Sequence, residues 1–511
     1  MRRAAVNAAR RSFRGGVEYL PYRASLASLQ AVHAWTTTSH QNTYATFALS
    51  CGNGDFGRLG HGGSGSGESA LGLTTDRFTK IKVPVDVAGV SAGGAHTALV
   101  GTDGSVYTCG LNDFGQLGVS SEISHLCVPT IVEGLPEHDP VVAVAAGHFH
   151  TLCLTKNGEV WSFGRNDEGQ CGVGGGGDGG VPNIITSPAW VENLSPHSLG
   201  GADRGRVVAI AAGQRHSMAV TENGAVFTWG STFEGCLGHG GDDDVGGSGN
   251  SYGLLGGIAD SFKRFVTSKK GMQPTPQLIR ALADSKITGL VPSVGLAHSL
   301  LLDNSGTMHV WGQGRFNQLG VGARMNVAWV ETPASIKFST KNEKENKENK
   351  KSTDTNTPVP PNTTVKSLAA GGNFSVAVTE TGKLISWGAN GNGECGGGAE
   401  DDGRRDRPRY VKHPRDKKRP VVFENVSAGW RHACAVTTDG RVFSWGWGGS
   451  AGQHSDDAFT TGGQLGLGDG QCDFWEPTVV PGVGNPGRVD AVFAKNVSCG
   501  FNHTVLIVSD D

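Results

Sequence analysis

The 511-residue chain has no apolar run approaching the roughly 20 residues that a helix needs to cross a bilayer. Its ten cysteines form no C-x-x-C pair and no cluster at zinc-ligand spacing, so no structural zinc site is expected. No G-x-x-x-x-G-K-[ST] loop is present, and no G-x-S-x-G stands in the strand-to-helix setting of a nucleophile elbow. These absences remove membrane helices, P-loop phosphate chemistry and hydrolase-type acyl transfer. The cysteines mostly stand where Val, Trp or Leu stands in equivalent segments, and read as buried reduced thiols of a reducing compartment. N-x-S sequons at Asn425 and Asn496 fall inside strand-like stretches, which suits a chain that never meets glycosylation machinery.

Lysine and acid are scarce at the start. Before Asp55 there are six arginines (Arg2, Arg3, Arg10, Arg11, Arg14, Arg23), no lysine and one acid, Glu18. At helical spacing Val6, Ala9, Phe13 and Val17 share one face, with Arg3, Arg10, Arg11 and Arg14 on another. This acid-poor amphipathic composition predicts a mitochondrial transit peptide over residues 1–41, with the folded unit over 42–511. Losing the six arginines and Glu18 takes the formal charge from −3 to −8. A chain so balanced is not a general nucleic-acid binder, and any such contact needs a local patch.

What is abundant is glycine: 80 residues, about twice the usual share, with no collagen period to account for it. Aligning the chain with itself shows where they go. "VSAGGAHTALVGTDGSVYTCGLNDFGQLG" from Val90 is echoed by "VAAGHFHTLCLTKNGEVWSFGRNDEGQCG" from Val144 and "IAAGQRHSMAVTENGAVFTWGSTFEGCLG" from Ile210, with three fainter copies beyond. Each copy predicts an alternating strand after A-G-x-x-H and a two-residue D-G or N-G hairpin (Gly104, Gly158, Gly224, Gly440). A second strand then ends in Cys109, Phe163, Trp229, Trp311, Trp387 or Trp445. A glycine turn follows, then an edge strand opened by Pro84, Pro129, Pro188, Pro276, Pro333, Pro408 or Pro477. "CGNGDFGRLG" at Cys51 matches the dinucleotide fingerprint G-x-G-x-x-G, but it aligns with the glycine turn of every other copy, and no helix pattern follows it. The dinucleotide reading fails.

Four antiparallel strands per copy make an all-β, seven-bladed propeller. The C-terminal "VSCGFNHTVLIVSDD" supplies half a blade, and the segment from Tyr44 to Val87 supplies the other half. Strands from both ends of the chain thus close the seventh blade and remove a free sheet edge.

The repeated A-G-x-x-H-T, D-G, W-G and N-x-x-G-Q-L-G motifs resemble the regulator of chromosome condensation (RCC) family over Tyr44–Asp511, most closely its organelle-targeted mitochondrial members. The resemblance implies a seven-bladed, monomeric propeller and a non-enzymatic interaction role. Family members include an exchange factor for a nuclear small GTPase that also docks on nucleosomes, ubiquitin ligases, photoreceptors and mitochondrial proteins. His96, His150, His216, His298, His432 and His503 occupy one repeat position, with Phe374 in the fifth copy. They read as structural residues hydrogen-bonded within their own blades, as Trp229, Trp311, Trp387 and Trp445 read as blade packing. No metal and no cofactor are expected.

Specific function is expected where the copies differ. Insertions fall near 241–272, 337–364 and 399–420. Glycine-rich runs at Gly62–Leu73 and Gly172–Gly180 read as spacers, and Lys341–Thr364 as a solvated insertion. In "RRDRPRYVKHPRDKKR", nine cations meet two aspartates. Arg404, Arg405, Arg407, Arg409, Tyr410, Lys412, Arg415, Lys417, Lys418 and Arg419, with His413 among them, form a candidate RNA- or partner-binding patch. A second candidate is the apolar-basic segment Phe262, Lys263, Arg264, Phe265, Lys269 and Lys270. It does not resemble the family exchange factor's wedge in length or composition. The leading expectation is a mitochondrial scaffold for ribosome biogenesis or RNA processing. The alternatives are a GTPase exchange factor and, third, a nuclear chromatin-bound factor.

Overall fold

A computed structural model describes residues 45–62, 74–174, 182–195, 197–199, 205–240, 271–283, 290–322, 328–336, 359–360, 363–401, 403–449, 462–468, 472–484 and 492–510. Residues 1–41, where a transit peptide is expected, the segment from Phe262 to Lys270, and most of the two spacers and of Lys341–Thr364 lie outside the described residues.

Seven four-stranded antiparallel sheets surround one axis. From the innermost strand outward, blade 1 is Val87–Ala92, His96–Gly101, Val106–Leu111 and His125–Ile131; blade 2 is Val141–Ala146, His150–Thr155, Val160–Arg165 and Ile184–Trp190. Blade 3 is Val207–Ala212, His216–Thr221, Val226–Ser231 and Met272–Leu278; blade 4 is Val291–Val294, His298–Leu302, Met308–Gln313 and Trp329–Ser335. Blade 5 is Val365–Ala370, Phe374–Thr379, Leu384–Gly388 and Arg405–Tyr410; blade 6 is Phe423–Ala428, His432–Thr437, Val442–Gly446 and Phe474–Val479. Blade 7 is composite: Phe493–Cys499 and His503–Ser509 come from the C-terminal end, Thr46–Gly52 and Thr75–Lys80 from the N-terminal end. Its seam is a seven-residue antiparallel ladder running from Thr46 opposite Ser509 to Gly52 opposite His503. Among the described residues no helix is long and apolar enough to cross a membrane.

Two local expectations change in detail. The D-G and N-G pairs do not form two-residue hairpins. In blade 1 the Gly101 N–H reaches the Ser105 carbonyl and the Gly104 N–H folds back on the Gly101 carbonyl, and five other blades repeat this three-residue loop. Gly104, Gly158, Gly224, Gly306, Gly382 and Gly440 each supply its left-handed residue, at φ between 75° and 92°. That is a type I turn closed by a glycine bulge, the next shortest way to join twisted strands.

The prolines do not open the outer strands either. They sit inside them, where the ladder skips: Gly110 faces Leu126 but Thr108 faces Thr130, leaving Cys127, Val128 and Pro129 as a bulge. Pro188, Pro276, Pro333, Pro408 and Pro477 hold the same place, while blade 7 puts Phe78 there and leaves Pro84 beyond the strand. A residue without an N–H suits a position with no ladder partner.

The bulge has a second use. Its outward carbonyl accepts an N–H from the glycine turn of the preceding blade: Gly62 to Cys127, Gly174 to Pro274, Gly240 to Glu331, Gly322 to Asp406, Gly398 to Trp475 and Gly468 to Asp76. The turn approaches so closely that a Cβ on Gly57 would lie 2.4 Å from the Cys127 Cα. The glycine turn is therefore a clamp between blades as well as a bend within one.

Apolar side chains fill the wedges between blades. Trp229, Trp311, Trp387 and Trp445 are fully buried there, and each indole N–H donates to a carbonyl of the preceding blade's glycine turn (Gln170, Cys236, Gln318 and Glu394) at 2.8–2.9 Å. Burying an indole with its donor satisfied contributes its full apolar area without a polar penalty. All ten cysteines are free; eight are buried, Cys127 is half-buried and Cys472 is exposed.

Candidate functional site

The repeated histidines do not bond within their own blades. Each Nε2 crosses to a hydroxyl on the second strand of the next blade: His96 to Thr151, His150 to Ser217, His216 to Ser299, His298 to Ser375, His432 to Thr504 and His503 to Thr97, all at 2.9–3.1 Å. Each hydroxyl spends its one proton on a carbonyl of the glycine turn in the blade that sent the histidine, as Thr151 does on Gln116 and Thr97 on Arg58. The histidine must then be the donor, which puts a proton on Nε2 and leaves the buried Nδ1 without a hydrogen-bond partner. Burial pushes His96, His150, His216 and His298 down to about 3, and His503 well below the ordinary range. The ring is broken once, between blades 5 and 6. There Phe374 replaces the histidine and Ala433 replaces the hydroxyl, so an apolar pair substitutes for a polar pair at the same junction. These residues build blade interfaces. Among the described residues no group of His, Cys, Asp and Glu is arranged to hold a metal ion.

The basic run behaves differently, and it is not one patch. Its first half is the outer strand of blade 5. Arg405 is fully buried, with its Nε 2.7 Å from Asp401 and a terminal nitrogen 2.8 Å from the Ser386 hydroxyl. Arg404 stands beside it, just before the strand begins, with its guanidinium over the Phe316 ring. Arg407 packs over Gly322 and Arg409 lies 3.8 Å from Asp406. Six extended residues span roughly 20 Å, so Arg404 and the cations after Tyr410 occupy opposite faces of the disc.

The second half turns over the hairpin face, where the loops between second and third strands cluster. Here Arg441, from the blade 6 hairpin and almost fully buried, pins the loop. It donates to Asp416 at 3.0 Å, to Asp439 at 3.0 Å and to the Pro420 carbonyl at 2.8 Å. Asp416 also accepts the backbone N–H groups of Lys418 and Arg419, which hold its carboxyl below the usual range. Arg419 reaches the Gly484 carbonyl at 3.1 Å. The loop thereby walls a groove of about 1280 Å³ between the outer strands of blades 5 and 6. Seven cations line it (Lys383, Lys412, Arg415, Lys417, Lys418, Arg419 and Arg441) against two carboxylates, Asp416 and Glu476. Lys412 is paired with Glu476 at 2.5 Å, whereas Arg415, Lys417 and Lys418 are exposed with no ion-pair partner among the described residues. Tyr410 is half-buried under the Lys383 ammonium, 5.4 Å from the ring centre, and His413 stands edge-on to Phe423.

Sequence reasoning missed Arg441, which nothing in "TTDGR" separates from an ordinary hairpin residue. It also missed a second surface, on the opposite face. Phe114, Phe149, His148, Phe501, Trp430 and Trp447 form an aromatic arc with successive ring centroids 4.0–6.0 Å apart, and Arg431 covers Trp430 at 4.2 Å. Four of these six rings are the variable x-x residues of the A-G-x-x-H loops, a signal present in the aligned copies.

Known proteins agree with this architecture. The ultraviolet-B receptor UVR8 of Arabidopsis thaliana is 28% identical over 421 residues, covering 82% of this chain and 74% of the receptor. The secretion-regulating guanine nucleotide exchange factor of Mus musculus is 27% identical over 448 residues, covering 82% and 76%. The crystal structure of human WBSCR16 superposes with a TM-score of 0.65 at 19% identity, covering 91% of this chain and 98% of that one. Residues 47–511 match the RCC1-like domain, so the chain belongs to the RCC1-like domain family.

Proposed function

We propose that the propeller is a docking scaffold with no covalent chemistry of its own, and that its partner seats in the groove between blades 5 and 6. One observation carries this reading. Arg441 and Asp416 fix a loop whose Arg415, Lys417 and Lys418 have no counter-ion among the described residues. A loop serving only the fold would gain nothing from holding three cations out together, whereas a preorganised charged rim raises association rate and selects partner charge. Lys417→Glu with Lys418→Glu is expected to move the protein out of its native complexes in gradient sedimentation, with its unfolding midpoint unchanged. An unchanged profile would sink the reading.

A second reading, guanine-nucleotide exchange on a small GTPase, is favoured by the mouse relative that bears that name. Exchange requires only that a surface displace phosphate and magnesium, so release of labelled GDP from candidate GTPases separates it from passive docking. We place the protein in mitochondria, on the arginine-rich N-terminal composition, where ribosome assembly or RNA processing would supply the partner. Fluorescent fusions with and without residues 1–41 test the address independently of the groove.

A further inference from the structure

We infer that the groove accepts an extended acidic segment of a partner protein, with apolar residues between its carboxylates, and not an RNA strand. The inference rests on the reading of this groove as the docking site, and deepens it by naming what docks.

Charge alone would fit a phosphate backbone or a row of carboxylates. The rest of the lining decides between them. RNA recognition at a basic surface relies on exposed aromatic faces on which unstacked bases lie. Neither ring that the sequence offers for this presents a free face: Tyr410 is half-buried, and His413, though exposed, packs at right angles against Phe423. Lys383 lies over Tyr410, and partial desolvation and the nearby Lys383 hold the His413 imidazole below the ordinary range. The groove floor is instead aliphatic. Val421 and Val480 are buried beneath it, and Val479, at 48% exposure, is among the few large apolar side chains the propeller shows to solvent. The flanking walls carry Pro414, Pro477 and Pro481, which have no N–H to offer. An occupant must therefore give its charge to the rim and apolar side chains to the floor. A β-like peptide that alternates acid and aliphatic residues does both at once, because successive side chains point to opposite faces. At about 1280 Å³ the groove also exceeds the usual 300–1,000 Å³ of a small-ligand pocket, as a macromolecular segment requires.

The test is fluorescence anisotropy on the full chain with three labelled probes: a decapeptide of alternating glutamate and valine, the same peptide with glutamine for glutamate, and decauridylate RNA. The glutamate peptide is expected to bind tightest, to weaken with added salt, and to lose about tenfold or more in affinity in the Lys417→Glu, Lys418→Glu protein. Val479→Ser should cost it about fivefold, from lost apolar burial. Both variants lie at exposed positions, and unchanged unfolding midpoints verify their folding. Decauridylate binding tighter than the glutamate peptide, and lost on the same charge reversal, would overturn the peptide assignment while leaving the groove as the docking site. If no probe responds to Lys417 and Lys418, the groove reading and the peptide assignment both fall.

Discussion

The junction between blades 5 and 6 offers a direct test of how the ring is held. At every other junction a histidine of one blade meets a hydroxyl of the next; here Phe374 faces the blade that carries Ala433. Where the second blade carries a buried Trp, its hydroxyl is Ser, and both donate to one carbonyl: Ser217 and Trp229 to Gln170, Ser299 and Trp311 to Cys236, Ser375 and Trp387 to Gln318. At Glu394 the Trp445 indole donates and Ala433 leaves the serine's place empty. Phe374→His alone strands a buried N–H opposite a methyl group and gives up phenyl burial, together about 3–5 kcal/mol. Ala433→Ser alone finds the Glu394 carbonyl but crowds Phe374, at about 1–3 kcal/mol. Together they rebuild the polar pair, so the double variant should be better than the sum by about 2 kcal/mol. With an unfolding entropy of about 2.1 cal/mol/K per residue over residues 47–511, one kcal/mol moves Tm by only about 1 °C. Differential scanning fluorimetry resolving about 0.2 °C is therefore needed. Additivity within about 0.5 °C would refute the claim that the histidine–hydroxyl pairs act as coupled units across blades.

The same histidines make stability depend on acid. His96, His150, His216 and His298 titrate near 3 when folded, against about 6.5 when unfolded, so their stabilisation is complete above about 6.5 and is lost progressively as pH falls towards 3. At pH 5 each costs about 2 kcal/mol, and the four together rival the whole stability of an ordinary domain. Cooperative unfolding between pH 5 and 4 is expected, and His150→Gln should flatten the slope of Tm against pH; a flat profile from pH 7 to 5 would contradict the low histidine pKa values. Gly52→Ala places a methyl group 2.5 Å from the Asn502 carbonyl at φ +117° and should unfold the seam, whereas Gly391→Ala meets nothing within 4 Å and should leave Tm within about 1 °C. Deleting residues 44–60 should open the ring, seen as loss of a single cooperative melt and rapid proteolysis of the His503–Ser509 strand. Thiol labelling of the native protein should mark Cys472 first and Cys127 slowly, with the eight buried thiols reacting only on unfolding.

The fold was legible because the repeat prints the same strand, turn and glycine code several times, and a split blade leaves complementary remnants at the two ends. The clamps were less legible for a physical reason. Gly57 and Pro129 look like separate punctuation marks until three-dimensional packing brings the turn of one blade onto the bulge of the next. The direction of the histidines was hidden in the same way, since Thr97 and Ser217 read simply as strand residues. Their partnership was nonetheless recoverable, because Phe374 and Ala433 are the two exceptions in their columns, one blade apart. In the basic run, composition could not distinguish Arg405, buried against Asp401, from Lys417, held in solvent; only the position of the strand between them does that.

The seam of blade 7 sets a timetable. During synthesis the Thr46–Gly52 strand leaves the ribosome roughly 450 residues before the His503–Ser509 strand it must pair with. At about 5–20 residues per second that is a wait of about 20–90 seconds with an unpaired β-edge. Six blades can stack in order as they emerge, but the disc becomes a circle only once His503–Ser509 has emerged. A chaperone that covers "TFALSCG" during that interval, or a slow stretch of translation ahead of His503, would then affect the yield of closed rings more than any change to the blades themselves.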